Sequence, residues 1–192
     1  MAELVRSGGR ANIWRVIGWG TAVALLAAPF VAMQLHAEGV DWSARDFIFA
    51  GVLFAVIGGL LEIAVRLSRN GSYRGAVALA LLGNLLVIWS NLAVGIVGSE
   101  NNPVNQLFFA ALLLGIAGAC IARFRAQGMS VAMAATAVSL GVAFVIATAF
   151  TTDEPNVSRW VEMVGVAIFG LIFLGSAALF RRAAPIQSSS SS

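Results

Sequence analysis

Six apolar runs, each long enough to cross a bilayer, fill most of this chain, and the charges between them alternate in sign. A helix rises about 1.5 Å per residue, so about 20 apolar residues span the hydrocarbon core. The runs cover residues 16–33, 47–65, 75–97, 103–122, 129–150 and 159–180. The short connections between them force neighbouring helices to be antiparallel. The predicted fold class is all-α: a polytopic membrane protein, a six-transmembrane-helix bundle forming a single transmembrane domain over residues 1–182. Residues 183–192 end in a serine run and predict a disordered tail.

Composition agrees. Hydrophobic residues make up 59% of the chain and charged residues 11%, against about 25% charged in soluble domains. One core could not hide this much apolar surface from water, but lipid can cover it.

The charges set an orientation. All twelve basic residues are arginine. Only Arg45 and Arg159 fall outside the segments that precede span 1, join spans 2–3 and 4–5, and follow span 6. Glu38, Asp41, Asp46, Glu100, Asp153, Glu154 and Glu162 sit at the opposite ends. Arginine-bearing loops stay cytoplasmic during insertion, which predicts both termini in the cytoplasm. The same asymmetry accounts for the pI of about 10.4, so the basic excess points to topology and membrane lipids and not to nucleic acid. The lack of lysine suggests a GC-rich bacterial genome.

Local signals refine the ends. Ser43 with Asp46 forms a capping pattern at the start of span 2. Asn102-Pro103 opens span 4 as cap and first-turn proline. Glu154-Pro155 opens span 6 in the same way. Pro29 is expected to kink or end helix 1. Trp14, Tyr73, Trp42 and Trp160 fall near the predicted interfaces. The positive segment before span 1 also fits a signal peptide, but Leu35 replaces the small residue that cleavage needs, so the span is read as uncleaved. Arg10, Arg66, Arg123 and Arg181 recur at intervals of 56, 57 and 58 residues. This could record three helical hairpins or only the usual length of two spans and two loops.

The candidate sites are few. Glu62 lies in span 2, roughly 6 Å inside the arginine-bearing boundary. It precedes Arg66 by one helical turn, the favoured order for an ion pair. A buried carboxylate can also serve as a proton or cation ligand. Asn84 and Asn91 share one face of span 3, with Asn84 near the midplane. They read as interhelical hydrogen-bonding groups or as part of a polar path. The segment Gly98-Ser99-Glu100-Asn101-Asn102-Pro103 reads as a turn and cap. Its Ser99, Glu100, Asn101 and Asn102 also form a candidate outer recognition loop.

Small residues form stripes. Span 2 carries Gly51, Ala55, Gly58 and Glu62 on one side. Span 4 carries Ala111, Gly115, Gly118 and Ala122. Span 5 carries Ala132, Thr136, Ser139 and Ala143. Small faces allow close helix approach in lipid.

No catalytic residues, cofactor or metal site are expected. His36 is the sole histidine and lies outside the spans, which excludes a bis-histidine haem and a His-Glu-x-x-His zinc helix. His36, Glu38 and Asp41 match no metal spacing. Cys120 is the single cysteine, so no intrachain disulfide forms.

Three stretches carry a resemblance: Asp46-Phe47-Ile48-Phe49-Ala50-Gly51, Glu62-Ile63-Ala64-Val65-Arg66, and Asn91 through Val97 into Gly98-Ser99-Glu100-Asn101-Asn102-Pro103. With them, residues 41–125 resemble small uncharacterised inner-membrane proteins of proteobacteria. The resemblance implies a bacterial inner-membrane home and no particular activity. Two functional readings stay open. One is a non-enzymatic accessory or structural subunit that packs with other membrane proteins, with copies of itself or with lipids. The other is a small transporter or channel using Asn84, Asn91 and Glu62.

Overall fold

A computed structural model describes residues 2–37, 40–150 and 158–184. The described chain is all-α. Its helices are α1 (Ala2–Gln34), α2 (Ala44–Leu67), α3 (Gly71–Ala93), α4 (Gln106–Ile121), α5 (Ala126–Phe150) and α6 (Arg159–Ala183), with a single 3-10 turn at Pro103–Asn105 before α4. Each of the six, α4 together with the 3-10 turn before it, is long and apolar enough to cross a membrane. Of the expected disordered tail, residues 183–192, Ala183 instead closes α6, and the part beyond Ala184 lies outside the described residues, as do Glu38, Asp153, Glu154 and Pro155.

The chain divides into two compact units, residues 1–62 and 63–192. In the first, α1 and α2 run antiparallel with matched steps. Arg15 pairs with Glu62, Trp19 covers Gly58, and Leu26 reaches Gly51. Steps of four and seven residues on α1 meet the same steps on α2, as two antiparallel helices in one register require. The indole explains Gly58: a Cβ there would come within 2.9 Å of Trp19 Cη2. Helix α1 continues through Pro29 to Gln34, so the proline does not end it. The missing N–H costs one bond of the ladder, which the turns on either side tolerate in a membrane helix. Helix α2 begins as the capping pattern predicts, with the Asp46 carboxylate accepting from Ser43 N at 2.7 Å and Ser43 Oγ at 2.8 Å.

In the second unit α5 packs along both α4 and α6, α6 packs along α3, and α3 meets α4 only slightly. Phe108, Leu140, Phe173 and Phe180 fill the centre and are fully buried. Phe173 lies on Gly83, where a Cβ would come within 3.0 Å of the ring. The stripes on α4 and α5 face each other: Gly115 meets Thr136, Gly118 meets Ala132, and Ala122 meets Gly128. Two hydroxyls tie helices together, Ser130 Oγ donating to Ala177 O and Ser176 Oγ to Ala76 O, both at 2.8 Å.

The outward faces invert the pattern of a soluble protein. On α5 the residues facing out are Val131, Val138 and Val145, 65–66% exposed, while Ala132, Thr136 and Ala143 are buried. Large apolar side chains outside and small ones inside suit helices packed closely in lipid. In water such a surface would drive aggregation. The chain is thus a multi-pass membrane protein.

Candidate functional site

The most elaborate polar structure lies at the end of the second unit where α3 gives way to α4. Helix α3 stops at Ala93, short of the Val97 boundary expected for the span. Val94, Ile96 and Val97 look like a continued apolar run. However, Gly95 and Gly98 take φ of +77° and +68°, a region open to glycine at little cost. A side chain at Gly95 is also excluded by space, since its Cβ would lie 2.6 Å from Ser99 O. The chain therefore folds back on itself and buries Ile96 and Val97.

Burying these residues removes their backbone groups from solvent, and each needs a partner. Asn105, only 4% exposed, supplies most of them. Its Oδ1 accepts from Ile96 N at 3.2 Å and Val97 N at 3.0 Å. Its Nδ2 donates to Val97 O at 3.2 Å and Ser99 O at 2.9 Å. One amide side chain thus closes the loop from the inside. Its own carbonyl accepts from Asn91 Nδ2 at 2.9 Å, which joins the end of α3 to the start of α4. Asn91 is buried, and its Oδ1 has no hydrogen-bond partner among the described residues.

Glu162 completes the cluster from α6. Read from the sequence as an outer-end acid, it lies in the first turn of that helix and is buried. Its Oε1 accepts from Gly98 N at 2.7 Å, and its Oε2 accepts from Arg159 Nη1 at 3.1 Å. Glu162→Gln keeps the bond to Gly98 but presents an amide to Arg159. We expect a loss of about 1 to 3 kcal/mol, measured as a lower midpoint of thermal unfolding in detergent. A variant as stable as the parent would show that the carboxylate does not hold the loop.

The candidate residues take different partners. Asn84 is half-buried and donates to Ala80 O of its own helix at 2.8 Å. Asn91 bonds across to the loop, so the two asparagines share a face but not a ligand. Glu62 belongs to the first unit, where it accepts from Arg15 of α1. Arg66 lies in the last turn of α2 and in the second unit. Within the proposed recognition loop, Ser99 and Asn102 are half-buried and work inside the fold. Ser99 O accepts from Asn102 N at 3.0 Å, and Asn102 Oδ1 caps Val104 N at 3.2 Å. Glu100 and Asn101 form the exposed tip and touch each other at 3.2 Å.

Sequence reasoning missed Asn105 and the inward role of Glu162. Asn105 stands at a helix start, where asparagine reads as an ordinary cap. The available signal for Glu162 was its spacing from Arg159 at the head of an apolar run. Among the described residues no three His, Cys, Asp or Glu side chains gather to hold a metal. Comparison with protein families, with curated proteins and with solved structures returns no match.

Proposed function

We propose that this chain is a non-enzymatic accessory or structural subunit of a bacterial inner membrane, packing beside other membrane proteins or lipids with both termini cytoplasmic. The observation that supports the role is the use of the polar side chains inside the spans. Asn84 and Thr136 bond to carbonyls of their own helices, Ser130 and Ser176 to carbonyls of neighbouring helices, and Asn105 and Glu162 to the backbone of the loop. They hold helices and a loop in place. The arginine asymmetry supports the orientation.

A second reading, a small transporter or channel, is favoured by the buried Asn91 Oδ1, an acceptor without a donor among the described residues. Asn84 separates the two readings. Asn84→Leu removes a bond internal to one helix, so a change in stability within about 0.5 kcal/mol is expected. Proteoliposomes with the parent or with Asn84→Leu should leak solute no faster than empty vesicles. Flux through the parent that Asn84→Leu abolishes, at equal folded yield, would move the role to transport.

A further inference from the structure

We propose that the turn Arg123-Phe124-Arg125 between α4 and α5, with Arg181 and Arg182 at the end of α6, binds the phosphate headgroup of an anionic phospholipid. This goes beyond a packing role and does not depend on it.

The turn is built in a costly way. Arg123 and Phe124 take φ of +50° and +57°, consecutive left-handed conformations that residues with a Cβ adopt reluctantly. Three backbone bonds impose them: Arg123 N donates to Cys120 O, Phe124 N to Ala119 O and Arg125 N to Ala122 O, at 3.0–3.1 Å. Tyr73 adds a tether from α3, its hydroxyl donating to Phe124 O at 2.8 Å. The same ring packs edge-on against Phe180 at 5.2 Å between centroids, immediately before Arg181. Tyr73 thus connects the turn to the end of α6.

The outcome of this construction is a tip of defined chemistry. Phe124 is 59% exposed. Arg123 and Arg125 flank it, and Arg181 and Arg182 stand at the end of α6. All four arginines are exposed and have no acidic partner among the described residues. The acidic residues Glu100 and Glu162 lie at the other end of the unit. An exposed aromatic between two exposed guanidinium groups, where apolar spans end, matches a lipid interface. The ring can enter the acyl boundary while the arginines meet the phosphate as positive charges at the headgroup level.

The occupant follows from charge and depth. A soluble phosphate would satisfy the arginines but not Phe124, and a zwitterionic headgroup would offset its phosphate with its own ammonium. A phosphatidylglycerol-type lipid supplies both the net negative charge and the chains.

The test is lipid titration of the purified full chain in detergent, read by native mass spectrometry, with phosphatidylglycerol and phosphatidylcholine as probes. The parent should prefer phosphatidylglycerol. The double variant Arg123→Gln/Arg125→Gln should bind it about 30-fold more weakly, or about 2 kcal/mol. Arg45→Gln, at the acidic end of α2, should bind as the parent does. Arg123→Lys/Arg125→Lys keeps the charge, should retain most of the affinity, and carries the test if the glutamine variant does not fold. Equal losses from Arg45→Gln would show that any surface arginine serves and would overturn the site. Competition by inorganic phosphate at the lipid's own concentration would overturn the lipid assignment. A folded lysine variant with no lipid preference would do the same.

Discussion

Asn105→Ala is expected to destabilise the second unit by about 3 to 5 kcal/mol, the largest single effect of any polar substitution here. The side chain makes four bonds to the backbone of the loop, two as acceptor and two as donor. Alanine would leave Ile96 N and Val97 N facing a buried space without a partner. A buried donor left unmade costs more than the net worth of the bond it once formed. The loop would escape by unfolding outward and drawing Val97 from the core. Asn105→Asp separates the two halves of the interaction, since it keeps the acceptor and loses the donors. It should fall between parent and alanine variant. Equilibrium unfolding in mixed detergent micelles measures both. An alanine variant within 1 kcal/mol of the parent would mean that water or a rearranged loop replaces the side chain.

The second large effect is expected where α4 and α5 meet. A Cβ on Gly115 would fall on Thr136 Oγ1. Gly115→Leu must push the helices apart along the face where Gly118 meets Ala132 and Ala122 meets Gly128, where a Cβ would lie 2.5 Å from that of Ala122. Nothing at this seam is a flexible side-chain end that could move aside cheaply. In lipid no hydrophobic drive compensates, because the exposed faces would meet acyl chains as apolar as the partner. The expected loss is at least about 3 kcal/mol, or failure to accumulate folded protein. Gly115→Ala is the graded form, and combining it with Thr136→Ala should recover much of its loss, because the second change removes the atom in conflict. If the two losses simply add, the packing of this pair is not the cause.

How far the sequence was legible depended on the range of the physics involved. The helices were legible because length and apolarity are local: each of the six runs holds a helix of the expected class. The stripes were legible as packing faces, yet their partners were not. Nothing in Ala111, Gly115 and Gly118 names α5, and the match with Ala132 and Thr136 appears only once the two helices share a register. The end of α3 was misplaced because Val94, Ile96 and Val97 extend the apolar run. The positive φ of Gly95 and Gly98 breaks the helix without breaking the hydropathy. Glu62 illustrates the same limit. Sequence spacing offered Arg66, one turn away on the same helix, but nothing in it pointed to Arg15, which reaches Glu62 through the antiparallel register of α1 and α2. Asn105 was passed over because a helix-capping asparagine and a loop-closing asparagine look alike until a loop folds over one of them.

Purification of the chain from its native membrane in mild detergent, with quantitative mass spectrometry of what elutes with it, tests the proposed role most directly. The expected result is a membrane partner in a fixed molar ratio that persists through size-exclusion chromatography. A chain that elutes alone and moves solute in liposomes would contradict an accessory role and turn attention to Asn84 and Asn91.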